Sequence, residues 1–287
     1  MIKFLHTADL HLDAPFAALS PEQAAARRQE QRELLTELAE AANTHDCDLV
    51  LLAGDLFDSA GASDETLLAL RRALASIRAP VFISPGNHDC LLPGSAYLTE
   101  RWPENVHIFK TDAIEAVELP EKQLRVYGAG FTARHERPLL EGFRAKADGW
   151  TNLMVLHGDA TQAASPYNPI TPEQLAASGL VSIQSHTYTH GNLSAMDEPA
   201  LRQEMELSNA ALAAATGQIP YVLCYPEGKY SHLTMDVAKD YYTFALRMDG
   251  WTYQTGMDPY QVPRSFVSRR ITLPDFLWFI DPSGKTN

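Results

Sequence analysis

The sequence predicts an α/β fold, a mixed sheet flanked by helices. Short runs of continuous apolar residues alternate with amphipathic stretches at helical spacing, the pattern of strands buried on both faces and joined by crossover helices. The runs also stop, one after another, at Asp, Asn or His residues. Open α/β sheets collect their ligands at the carboxyl ends of strands.

Taken in order, residues 2–5 are strand-like and lead into His6-Thr-Ala-Asp-Leu-His11. Asp9 and His11 are two apart, so extended backbone turns both to one side. Ser20 caps a helix with Pro21 in its first turn, and Gln23 completes a capping box. Leu34, Leu35, Leu38, Ala41 and Ala42 recur at helical spacing and are expected to be its apolar face. Residues 49–53 read as a buried strand ending in Gly54-Asp55, and Ser63 opens a second helix that runs to about Ala75. The stretch from Pro80 to Asp89 is an apolar run that turns at Pro85-Gly86 and delivers Asn87, His88 and Asp89 in succession. Strands of more alternating character at 106–109, 114–119 and 124–127 make the sheet mixed. Residues 153–156 form a further apolar strand ending in His157-Gly158, and Thr171 with Gln174 caps a short helix that stops at Gly179.

A length of 287 residues admits one large domain or two modest ones. No apolar run is long enough to span a bilayer, and the amino terminus enters a strand pattern with no signal-peptide core. A cytoplasmic protein without a membrane partner is the expectation. Cys47, Cys90 and Cys224 are widely spaced, which implies neither a disulfide framework nor a zinc knuckle. The net charge of −13 argues against a chain that wraps nucleic acid through its own field. A nuclease remains compatible with it, since bound divalent cations offset an acidic site and a partner subunit can supply basic surface. Arg27-Arg28, Arg71-Arg72 and Arg269-Arg270 are read as solvated faces. Tyr241, Tyr242, Phe244, Trp251, Phe276, Trp278 and Phe279 are read as core.

Asp-x-His, Gly-Asp, Gly-Asn-His-Asp and His-Gly, in this order and each at a strand end, resemble the calcineurin-like metallophosphoesterases. The nuclease subunit of SbcCD type is closer still, through Phe4-Leu-His-Thr-Ala-Asp-Leu-His-Leu12 and Leu52-Ala-Gly-Asp-Leu-Phe-Asp58. The resemblance covers about residues 1–180. It implies two divalent ions, manganese by preference, and hydrolysis of a phosphodiester such as DNA beside an ATPase partner subunit. Carried over, Asp9 and His11 hold one metal, Asp55 bridges, Asn87 and His157 hold the second, and His88 is the catalytic histidine. Asp58 and Asp89 are read as structural. The family's last block, Gly-His-x-His, is altered here: His186 keeps the first histidine, but Ser185 replaces the glycine and Tyr188 stands where the second histidine belongs. Tyrosine is a poor replacement because its phenol stays protonated at neutral pH. His190 is the other imidazole at hand.

From that point the chain resembles something else. Ser185-His-Thr-Tyr-Thr-His-Gly-Asn-Leu193 looks like the histidine motif of NodB-type polysaccharide deacetylases, in which two histidines four apart, here His186 and His190, join an aspartate on zinc. A helix over 198–216, a strand over 219–225, the loop Tyr225-Pro-Glu-Gly228, residues 258–264 and a closing helix over 274–280 extend the likeness. That family's opening Thr-Phe-Asp-Asp-Gly block is missing. The expected organisation is a metallophosphoesterase-like part, 1–180, and a deacetylase-like βα part, 181–287, packed as one continuous α/β unit, the joint of a chimera. A metal-dependent phosphoesterase is the leading expectation. A zinc-dependent de-N-acetylase with a borrowed Asp9 or Asp55, and a folded non-enzyme with a structural metal, are its alternatives.

Overall fold

The computed structural model describes residues 2–59, 61–162, 164–249, 253–267 and 270–272. The helix expected over 274–280, with Phe276, Trp278 and Phe279, lies outside the described residues, as do Trp251 and Arg269. The chain divides into two units, Met1–Leu180 and Val181–Asn287.

The first unit runs β1 (Phe4–Thr7), α1 (Pro21–Thr44), β2 (Leu49–Leu52), α2 (Asp64–Ser76), β3 (Val81–Ile83), α3 (Ala96–Thr99), β4 (Val106–Ile108), β5 (Glu115–Leu119), β6 (Leu124–Gly128), β7 (Thr151–Val155) and α4 (Pro172–Ala177). Strands β1 to β4 form a parallel sheet in sequence order. A second sheet, β5-β6-β7, is mixed, antiparallel at β5-β6 and parallel at β6-β7. Side chains alternate across a strand, so Val50 and Leu52 join Val81 and Ile83 against Leu35, Ala39, Ala42, Leu70 and Leu74 of α1 and α2. Leu49, Leu51 and Phe82 on the opposite face meet Leu124, Val126 and Val155 of the second sheet. Helices, parallel sheet and mixed sheet are thus three layers, which explains why the central strands are apolar at every position.

The helix starts match the sequence signals. Ser20 and Thr171 make full capping boxes with Gln23 and Gln174, and the Ser63 hydroxyl accepts from the Thr66 N–H. Two expectations need correction. The first strand is Phe4–Thr7 rather than 2–5, because its register runs Phe4 to Leu49 through Thr7 to Leu52. Leu34 is 46 % exposed, and the buried stripe of α1 is Ala24, Leu35, Ala39 and Ala42.

The second unit contains α5 (Glu198–Thr216), β8 (Val222–Cys224), α6 (His232–Ala238), β9 (Phe244–Met248) and β10 (Val262–Arg264), with a parallel sheet ordered β10-β9-β8. Leu201, Met205, Leu223, Tyr225, Met235 and Tyr242 lie in its core. Asp197 caps α5, and Gly217 ends it with φ 69°, a left-handed conformation suited to glycine. The strand expected to lead into His186 does not form. Residues 181–184 make no ladder, and only Ser185 bridges to Leu223. Side-chain amides replace the ladder bonds: Gln184 Oε1 accepts from the N–H groups of Tyr221 and Val222, and Gln218 Oε1 from that of Ile183. The strand expected over 219–225 is likewise confined to Val222–Cys224; Pro220 has no N–H to give a ladder. No helix among the described residues is long and apolar enough to cross a membrane.

Glu204, buried in α5, accepts hydrogen bonds from the Tyr188 and Thr189 N–H groups and the Thr189 hydroxyl. Burial raises its carboxyl, and these donors outweigh burial to leave it below the ordinary 4.5. A lowered native value means the contribution to stability is complete above pH 4.5 and is lost as pH falls through the native value. Glu204→Gln is therefore expected to reduce urea stability at pH 7 by about 1–2 kcal/mol and by less near pH 4; an equal deficit at both values would contradict this.

Candidate metal centre

Three strands of the parallel sheet and one of the mixed sheet present the candidate ligands at their carboxyl ends. After β1, residues 9–12 run beside 54–57: the N–H groups of Asp9, His11 and Leu12 donate to the carbonyls of Gly54, Asp55 and Leu56 at 3.0, 3.0 and 2.8 Å. Asp9, His11 and Asp55 have φ of 55°, 44° and 50°. For residues with a Cβ each such left-handed conformation costs about 1 kcal/mol, a cost offset by the backbone bonds just described.

Asp55 is buried, and its two oxygens have separate partners. Oδ1 accepts from the His88 N–H at 2.9 Å. Oδ2 lies 4.0 Å from His11 Nε2 and 3.6 Å from His157 Nε2. Each imidazole is fixed from behind. His157 Nδ1 donates to the Ala53 carbonyl at 3.0 Å, and His11 Nδ1 to Asp58 Oδ1 at 3.2 Å. In the neutral rings Nε2 is then an acceptor. His157 Nε2 also faces Asn87 Oδ1 at 3.0 Å, and His11 Nε2 faces Asp9 Oδ1 at 4.0 Å. Two imidazole Nε2 atoms thus face Asp55 Oδ2 from either side, a nitrogen and oxygen donor set suited to cations.

The ligand atoms fall into two groups, each within 4.8 Å: Asp9, Asp55 and His157, and His11, Asp55 and His88. Oxygen and imidazole donors of this kind suit manganese, iron or zinc, so the residues fit a pair of ions sharing Asp55. Asp9 Oδ1 lies within 4.0 Å of His11 Nε2 as well, so His11 is close to both Asp9 and His88. His88 is exposed, its ring edge-on to His11 at 4.8 Å, and its Nδ1 donates to the Asp58 carbonyl at 3.0 Å. The cleft above these groups encloses about 580 Å³ and is also lined by His6, Asp159, Thr161 and Tyr167. The Thr161 hydroxyl holds the Asp159 carboxyl below its ordinary value.

Small and buried polar residues set the spacing. A Cβ at Gly54 would lie 2.6 Å from His157 Nδ1, and one at Gly86 only 2.2 Å from Asp55 Oδ1. Asn168, fully buried, donates to the His157 carbonyl at 2.7 Å and accepts from the Leu139 N–H at 2.6 Å. Sequence reasoning missed it; the one available signal was an asparagine enclosed by Pro166 and Pro169 in a ligand-bearing loop. Asp89 accepts from the N–H groups of Gly86, Leu56 and Phe57 and from the Tyr97 hydroxyl. Burial pushes its carboxyl above the ordinary value against the pull of those donors.

His186 and His190 belong to the second unit. Their rings meet edge-on at 4.9 Å, and His186 Nδ1 donates to the Cys224 carbonyl at 2.7 Å. Tyr188 is 56 % exposed. Among the described residues, no third Asp, Glu, His or Cys completes a metal-binding group with these two histidines.

Carboxylates and imidazoles thus gather at the strand ends of an α/β layer. The model of the calcineurin-like phosphoesterase family matches residues 2–202, and the chain belongs to that family. It is 34 % identical over 194 residues to the uncharacterized metallophosphoesterase YhaO of Bacillus subtilis (strain 168), covering 62 % of this chain and 46 % of that one. It is 27 % identical over 125 residues to the nuclease subunit of SbcCD from Staphylococcus epidermidis, covering 42 % and 31 %. The chain thus spans less than half the length of these relatives. The Streptococcus pyogenes deacetylase PplD, solved with acetate, aligns over 98 % of both chains at 14 % identity and a TM-score of 0.35.

Gly86→Ala is expected to weaken manganese binding by tenfold or more, because the new methyl displaces the Asp55 carboxylate. Titration calorimetry on metal-stripped protein reads this; unchanged affinity would contradict the spacing described.

Proposed function

We propose that the chain is a phosphodiesterase with a dinuclear centre, in which Asp9, His11, Asp55, Asn87 and His157 would hold two manganese ions, and that DNA ends are its substrate class. The observation that carries the reading is Asp55 Oδ2, set between two imidazole nitrogens at 4.0 and 3.6 Å. The family supports the metal chemistry, and the S. epidermidis relative, a subunit of the nuclease SbcCD, supports a nucleic-acid substrate and a partner subunit.

When bound, such ions supply Lewis acidity and a nucleophile at neutral pH by acidifying water. The chain's own groups do the rest. Asp9, exposed at the cleft, and buried Asp55 set the charge that attracts the cations. His11 and His157, anchored through Nδ1, keep Nε2 aimed inward without a search over rotamers. His88 has Nδ1 tied to the Asp58 carbonyl, which leaves Nε2 to hold or deliver a proton at the leaving oxygen. The acidic chain repels a free polyanion, so a partner contributing basic surface fits a DNA substrate.

Metal-stripped protein with added manganese is expected to hydrolyse bis(p-nitrophenyl) phosphate. His88→Ala should lower kcat by about a hundredfold or more, and Asn87→Ala should raise the manganese requirement about tenfold to a hundredfold. A parent no faster than its variants would overturn the proposal.

A further inference from the structure

The reading of a dinuclear centre leaves open what holds its two halves at a fixed distance. Asp55 sits on the loop after β2, and Asn87 and His88 sit on the loop after β3. Those loops meet at Asp89, which is 1 % exposed. Asp89 Oδ1 accepts from the Gly86 N–H at 2.7 Å, on the Asn87 side. Oδ2 accepts from the Leu56 and Phe57 N–H groups at 2.8 and 3.3 Å, immediately after Asp55. One carboxylate therefore grips both loops, one oxygen to each.

A fourth donor arrives from a third element. Tyr97 of α3, fully buried, donates its hydroxyl to Asp89 Oδ2 at 2.6 Å. Its ring is held by Phe57 at 5.6 Å and Trp102 at 5.9 Å between centroids, so the hydroxyl is delivered from a fixed position. The buried contact is charge-assisted, and such bonds are the strong ones. Neither side chain reaches the cleft: Asp89 and Tyr97 are absent from the residues that line it.

We infer that Tyr97 and Asp89 are positioning residues for the metal centre: the tyrosine pins the carboxylate that spaces Asp55 from Asn87 and His88. This rests on the dinuclear reading. Tyr97→Phe keeps the ring and its packing but removes the hydroxyl, freeing Asp89 to follow either loop. A residue that sets the spacing of ligands it does not itself join acts through metal affinity, which saturating metal offsets.

The test is titration of metal-stripped protein with manganese, beside thermal melts of the same metal-free samples. Tyr97→Phe is expected to raise the manganese Kd about tenfold, with the metal-free protein still melting cooperatively and kcat recovered at saturating manganese. Asp89→Asn, which places an amide NH2 among N–H donors, should weaken binding further, with circular dichroism reporting whether it folds. A parent-like Kd in Tyr97→Phe, or a kcat that stays low at saturation, overturns the inference while leaving the dinuclear centre intact. A parent that binds no manganese overturns both.

Discussion

One carboxylate oxygen, Asp55 Oδ2, organises the first unit. It is buried between the Nε2 atoms of His11 and His157, while its partner oxygen is committed to the His88 N–H. Each ring is tethered through Nδ1 and each loop through its backbone. Strained φ values at Asp9, His11 and Asp55 are part of the same arrangement. Gly54 and Gly86 complete it, since the approach of His157 and of Asp55 leaves no room for a Cβ at either position.

The three layers explain why such a site stays rigid. The strands that carry Asp55 and Asn87 are covered on one face by α1 and α2 and on the other by the mixed sheet, so their carboxyl ends cannot drift without disturbing a packed core. Behind the ligands, Asp89 joins two loops and Asn168 fixes the carbonyl of His157. Both are buried polar groups with their bonds made, and removing a partner from such a group costs more than the bond itself contributes.

Much of this was legible in the sequence because it depends on local chemistry. The caps at Ser20, Ser63 and Thr171, the apolar strands ending in Asp55 and Asn87, and the mixing of strand directions follow from patterns a few residues long, although the single mixed sheet expected is two sheets, one parallel and one mixed. The misses are matters of tertiary context. Leu34 has the period of a core residue, yet Ala39 and Ala42 face the sheet. Residues 181–184 look like a strand, yet Gln184 and Gln218 satisfy the edge with side-chain amides. Asn168 and the Tyr97–Asp89 contact join residues whose partnership no spacing announces.

The most direct measurement is anomalous diffraction from crystals of the protein grown with manganese, collected at the manganese edge. Two peaks are expected to flank the Asp55 carboxylate, one beside His11 and one beside His157 and Asn87. A single peak away from Asp55, or ions gathered at His186 and His190 with none at Asp55, would contradict this.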